Sequence, residues 1–118
     1  MERSRILVVD DDDAVRIVTS EMLKSMDLEV ECAESGRAAL ACLAQTQTPF
    51  DLVLLDVGMP VMDGVEVYEN VHRDHPGQKV AFMTGYTDDI SEFANADVTV
   101  LPKPFSMQNL SDLIHTIL

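Results

Sequence analysis

Leu7-Val-Val-Asp-Asp-Asp-Asp13 runs three apolar residues straight into four carboxylates. With Arg5 and Ile6 ahead of it, the apolar part reads as a short strand buried on both faces. Such strands belong to parallel sheets covered by helices on either side. The acids pose the question. Four like charges at the tip of a buried strand repel one another, so they need either solvent or a cation.

A second run of the same kind, Asp51-Leu-Val-Leu-Leu-Asp56, also ends in an acid. Between and after these two, the pattern alternates. Val15, Val18, Met22 and Met26 recur at helical spacing, with Leu23 widening the stripe. Leu28 to Cys32 alternates as a half-exposed strand. Gly36 to about Gln45 carries Ala39, Leu40 and Leu43 on one helical face. Gly58-Met59-Pro60 breaks the third strand, and Asp63-Gly64 opens a helix through Val65, Tyr68 and Val71. Gln78 to Thr84 reads as a fourth strand, Asp88 to Ala94 as a short helix and Val98 to Leu101 as a fifth strand. Ser106 then caps a last helix with the apolar stripe Met107, Leu110, Leu113, Ile114 and Ile117. Strands alternating with helices predict one α/β domain over residues 1–118, with a parallel sheet, helices on both faces and no separate output domain.

The whole chain has 118 residues, 47% of them hydrophobic and 25% charged, which is a globular balance. Its 21 acids against 8 bases leave a net charge of −13, which opposes nucleic acid binding and favours cations and basic partners. No apolar run approaches the roughly 20 residues of a membrane span, and the N-terminus does not read as a signal peptide. Cys32 and Cys42 lack metal-ligand spacing and are expected as core or boundary residues in a reducing cytoplasm. His72, His75 and His115 are scattered and are expected at the surface or its boundary.

In open parallel sheets, ligands bind beyond the carboxyl ends of the strands. Those ends here carry Asp10 and Asp11, Asp56, Thr84 and Lys103. Three carboxylates brought together raise at least one pKa or demand a counter-ion. Mg²⁺ takes oxygen ligands and keeps waters that a phosphoryl oxygen can replace. Asp10 and Asp11 are therefore read as metal ligands, and Asp12 or Asp13 as the start of the helix. Asp56, alone before a tight turn, is placed to attack a phosphoryl group and form an acyl phosphate. Lys103 can neutralise charge in that transfer, and the Thr84 hydroxyl can donate to the arriving phosphoryl oxygen.

The motifs LVVDDD, DLVLLDVGMPVMDG, MTG and KPF, in this order and nearly end to end, resemble the receiver domain of bacterial two-component response regulators. The resemblance implies a flavodoxin-like, doubly wound sheet of order 2-1-3-4-5. It implies that Asp56 accepts the phosphoryl group, with Asp10, Asp11, Asp56 and the Gly58 carbonyl on Mg²⁺. Thr84 would be the switch hydroxyl and Lys103 the phosphate-binding lysine, followed by a cis bond to Pro104. A sensor histidine kinase or a histidine phosphotransfer domain would supply the phosphoryl group to a monomer or weak dimer. TGYTDD and LPKPF look similar to receivers fused to hybrid histidine kinases.

The pattern departs from the family at three places. Val100 stands where an aromatic is usual, with Tyr86 a nearby substitute. The stretch from Thr84 to Lys103 is short. Gly58 leaves no side chain two residues after Asp56. The competing readings are a non-phosphorylated pseudo-receiver, a haloacid-dehalogenase-type phosphatase and a flavodoxin. A phosphatase would need a second Asp where Gly58 stands, and four acids would repel a flavin phosphate. A switch that is not a turnover enzyme is the expected function.

Overall fold

The computed structural model describes residues 3–85 and 99–118. Its strands are β1 (Arg5–Val9), β2 (Glu29–Ala33), β3 (Leu52–Asp56), β4 (Val80–Thr84) and β5 (Thr99–Pro102). Its helices, among the described residues, are α1 (Asp13–Ser25), α2 (Gly36–Gln45), α3 (Gly64–Asp74) and α4 (Met107–Ile117). The strands pair in parallel, in the order β2-β1-β3-β4-β5. The expected short helix at Asp88 to Ala94, Val98 and Tyr86 lie outside the described residues.

The pleat sends alternate residues of each central strand to opposite faces. Leu7 and Val9 join one apolar layer with Val53, Leu55 and Phe82, covered by Ala39 and Leu43 of α2 and Val67 and Val71 of α3. Ile6 and Val8 join the other with Leu52 and Leu54, covered by Leu23 of α1 and Leu110, Leu113 and Ile114 of α4. Both faces of β1 and β3 are thus sealed, which is why their sequences read as unbroken apolar runs.

Each helix among the described residues starts on a side-chain cap. Asp12 accepts from the Ala14 and Val15 N–H groups, Ser35 from Ala38 and Asp63 from Glu66. Ser106 and Asn109 form a reciprocal capping box before α4. α1 ends differently. Asp27 follows it with φ 64°, donating its N–H to the Lys24 carbonyl at 3.0 Å. Glycine adopts this left-handed geometry without the Cβ penalty. Asp27→Gly is therefore expected to stabilise the fold by about 0.5–1 kcal/mol, seen as a small rise in melting temperature. The exposed Arg3–Asp27 ion pair that is lost offsets this by at most a few tenths. An unchanged or lower melting temperature would refute the strain argument.

Two expectations need correction. The buried face of α1 is Thr19, Ser20 and Leu23, whereas Val18 is 52% exposed. Val15 and Val18 instead line an open groove with Pro104 and Phe105, with a volume of about 540 Å³, whereas Met22 and Met26 pack against the core beside Leu23 as expected. Small Thr19 and Ser20 let α1 sit close to the sheet edge, where the Ser20 hydroxyl lies 3.2 Å from Cys32 Sγ. Cys32 is exposed because β2 is the edge strand, and only Cys42 is a boundary residue as expected. No helix among the described residues is long and apolar enough to cross a membrane.

Candidate functional site

β1, β3 and β4 are neighbours, so their carboxyl ends meet. Asp10 follows the last residue of β1 and is fully buried; Asp56 closes β3 and is 4% exposed. Thr84 closes β4, pairs with Pro102 of β5 and is buried. Its carbonyl accepts the Lys103 N–H at 2.7 Å, which extends the ladder by one rung and aims Lys103 at the acids. The Lys103–Pro104 peptide is cis.

The Lys103 ammonium bridges the two buried carboxylates. It donates to Asp10 Oδ2 at 2.8 Å and to Asp56 Oδ1 at 3.1 Å. The Gly58 N–H also donates to Asp56 Oδ1, at 3.3 Å. Asp10 Oδ1 accepts the Asp12 N–H at 2.9 Å. Asp12 caps α1 and Asp13 pairs with Arg16. Asp11 is exposed, and among the described residues its carboxylate makes no hydrogen bond or ion pair. One acid of the four is thus left open beside two that are buried. Oxygens of Asp10, Asp11 and Asp56 lie within 4.8 Å of one another.

Burial pushes the Asp56 carboxyl up from its ordinary 3.8 to about 6, and the charge of Asp10 adds to this; Lys103 and the Gly58 N–H pull the other way. Burial by itself would lower the Lys103 pKa, but the hydrogen bond to Asp10 and the charges of Asp56 and Asp10 outweigh it and raise the pKa. One ammonium therefore does not fully balance the cluster. All-oxygen donors with residual negative charge suit a hard divalent cation.

Two residues outside the expected site set also shape it: Gly64, read only as part of a helix start, and Arg16, which had no expected role. Gly64 is the first residue of α3, and its N–H donates to the Val57 carbonyl at 3.0 Å. A Cβ there would lie 2.5 Å from the Asp56 carbonyl oxygen and 2.7 Å from Val57 Cα. Its need is close approach, not an unusual φ. Arg16, on α1, donates to the Asp10 carbonyl at 2.7 Å and to the Asp13 carboxylate. The i,i+3 spacing of Asp13 and Arg16 was the available signal for that pair.

Residues 6–115 match the family model described as "Response regulator receiver domain". The chain belongs to that family. The receiver is 35% identical over 116 residues to the sensor kinase CckA of Brucella abortus, covering 96% of this chain and 12% of that protein. It is 34% identical over 117 residues to the DNA-binding transcriptional regulator NtrC of Salmonella typhimurium, covering 97% of this chain and 24% of that one. The receiver therefore spans at most about a quarter of the length of these two relatives. A CheY-like response regulator receiver domain protein from Methanospirillum hungatei superposes with a TM-score of 0.87 at 32% identity, covering 98% of this chain and 93% of that one. Receiver domains are signalling switches and not turnover enzymes of the usual kind. Phosphorylation and Mg²⁺ are general features of the family, whose members interact with histidine kinases or phosphotransfer proteins.

Proposed function

We propose that this receiver is a phosphorylation-activated switch in a two-component phosphorelay, with Asp56 as the phosphoacceptor. The observation that carries the reading is the convergence of Asp10, Asp11 and Asp56 oxygens within 4.8 Å, with the Lys103 ammonium against two of the three. Asp10, Asp11, Asp56 and the Gly58 carbonyl would hold Mg²⁺. When bound, the ion supplies charge neutralisation at the phosphoryl oxygens.

The chain's own residues do the rest. An Asp56 oxygen attacks the phosphorus of a phosphohistidine, the P–N bond breaks and the imidazole leaves with its electron pair. Lys103, already against Asp56, follows the charge onto the phosphoryl group, and the Thr84 hydroxyl donates to one of its oxygens. The phosphoryl group shifts the protein between packings only by the difference in its interactions with them. The groove along Val15, Val18 and Met22 opens beside Lys103 and Pro104 and offers a phosphodonor an apolar docking face next to the site. A net charge of −13 favours a basic rim on that partner and opposes nucleic acid. A reducing cytoplasm fits two cysteines that are free.

Incubation with acetyl phosphate and Mg²⁺, followed by intact mass, tests this. One phosphoryl group per chain is expected, and none when EDTA replaces Mg²⁺. No gain with any donor would instead favour a pseudo-receiver that acts only by binding. Val100, half-buried against the layer that holds Phe82, would then be the first residue to examine.

A further inference from the structure

We infer that Arg16 is a positioning residue for the divalent cation, acting through the peptide that joins Asp10 to Asp11. The inference rests on the Mg²⁺ reading of the site. The Arg16 side chain is only 15% exposed, although it begins on the outer end of α1. Its guanidinium forks. One nitrogen donates to the Asp10 carbonyl at 2.7 Å, and another donates to the Asp13 carboxylate.

The Asp10 carbonyl belongs to the peptide plane between the two acids. Holding that plane fixes the directions in which both side chains leave the backbone. Asp10 is held independently by Lys103 and by the Asp12 N–H. Among the described residues Asp11 has no comparable tether, so the peptide plane held by Arg16 sets where its side chain leaves the backbone. Guanidinium is suited to this task because its planar fork binds two acceptors in a fixed geometry. Groups that orient metal ligands in this indirect way commonly change affinity about 10–100-fold when removed.

Charge alone argues for the opposite effect. A guanidinium near a cation site repels the cation, so its removal would tighten binding. Arg16→Lys separates the two, because it keeps a cation beside Asp13 and loses the planar fork. An orienting effect of about 10–100-fold exceeds the repulsion of one charge screened by solvent at a site where Asp11 is exposed, so weaker binding is expected.

The test uses Mn²⁺ as the probe, titrated into the unphosphorylated protein and followed by water-proton relaxation. Arg16→Gln is expected to weaken Mn²⁺ binding roughly tenfold, and Arg16→Lys, which keeps the charge without the fork, about threefold. In labelling with acetyl phosphate, the half-saturating Mg²⁺ should rise in parallel, while the rate at saturating Mg²⁺ stays within about twofold of wild type. A role in fold stability alone would not split the two in this way. If Arg16→Gln loses its cooperative melt, Arg16→Lys decides the matter. Wild-type affinity in the folded variants, or tighter binding in Arg16→Gln, overturns the inference and leaves the phosphoacceptor reading standing. Failure of the wild-type protein to bind Mn²⁺ overturns both.

Discussion

Asp56→Asn is expected to take no phosphoryl group from acetyl phosphate and yet to melt about 8 °C above the wild-type protein in EDTA at pH 7.5. Both effects come from one atom set. The amide has no nucleophilic carboxylate, so labelling ends. Its Oδ1 can still accept from Lys103 and from the Gly58 N–H, because both of those bonds fall on Asp56 Oδ1. What the variant loses is a charge that burial and Asp10 disfavour. With the folded pKa raised to about 6 from 3.8, the folded wild-type protein holds a proton in that interval that the unfolded chain has released. Wild-type stability therefore falls as pH rises through the interval, by about 3 kcal/mol at most, and stays lower above it. The bonds from Lys103 and the Gly58 N–H are already part of that raised pKa, and solvent screening at the open site reduces the gain of the variant to about 2 kcal/mol. The gap should close below pH 4. Mg²⁺ should narrow it at pH 7.5 by stabilising the wild-type protein more than the variant. Melts across pH 4–8, with and without Mg²⁺, read all of this. Equal melting temperatures in EDTA at pH 7.5 would refute the charge argument, and a labelled variant would refute Asp56 as acceptor.

Gly64→Ala carries the second large effect, and here the damage is steric. The added Cβ meets the Asp56 carbonyl oxygen and Val57 Cα, both backbone atoms that no rotamer change can move aside. Either α3 or the end of β3 must shift. Overpacking of this kind costs about 1–3 kcal/mol, and alanine's better helix propensity returns less than 1 kcal/mol at a first-turn position. A loss of about 2 kcal/mol is expected, which lowers the melting temperature by roughly 8 °C. The displaced backbone is that of Asp56 itself, so labelling should slow by at least about tenfold at a temperature where the variant is fully folded. Gly64→Ala with wild-type labelling would show that the shift is absorbed on the helix side.

The same two residues mark how far the sequence could be read. Asp56 was legible because it ends a run buried on both faces, and such runs have one exit, at the carboxyl edge where ligands bind. Lys103 was legible through the proline that follows it. Gly64 was legible as a break but not as a contact, since the atom it must avoid is eight residues back and meets it only after β3 and α3 have packed. α1 misled for a related reason. Val18 obeys the helical period, yet the buried face is centred on Thr19, Ser20 and Leu23, because close approach to an edge strand selects small residues over apolar ones. In α3 the reading through Val65, Tyr68 and Val71 missed Val67, which is fully buried. The strands of the sheet tolerate no such offset, since a slip of one residue exchanges the two faces.

The lysine that joins the acids is separated from Asp10 by 93 residues and from Asp56 by 47. Synthesis runs from the N-terminus, so a growing chain carries Asp10, Asp11 and Asp56 well before it carries the cation that draws two of them together. Contacts that span most of a chain close late, because the intervening loops must be ordered first. The end of the sheet is thus among the last parts of a new molecule to form, and a chain released early has the acids without the clasp.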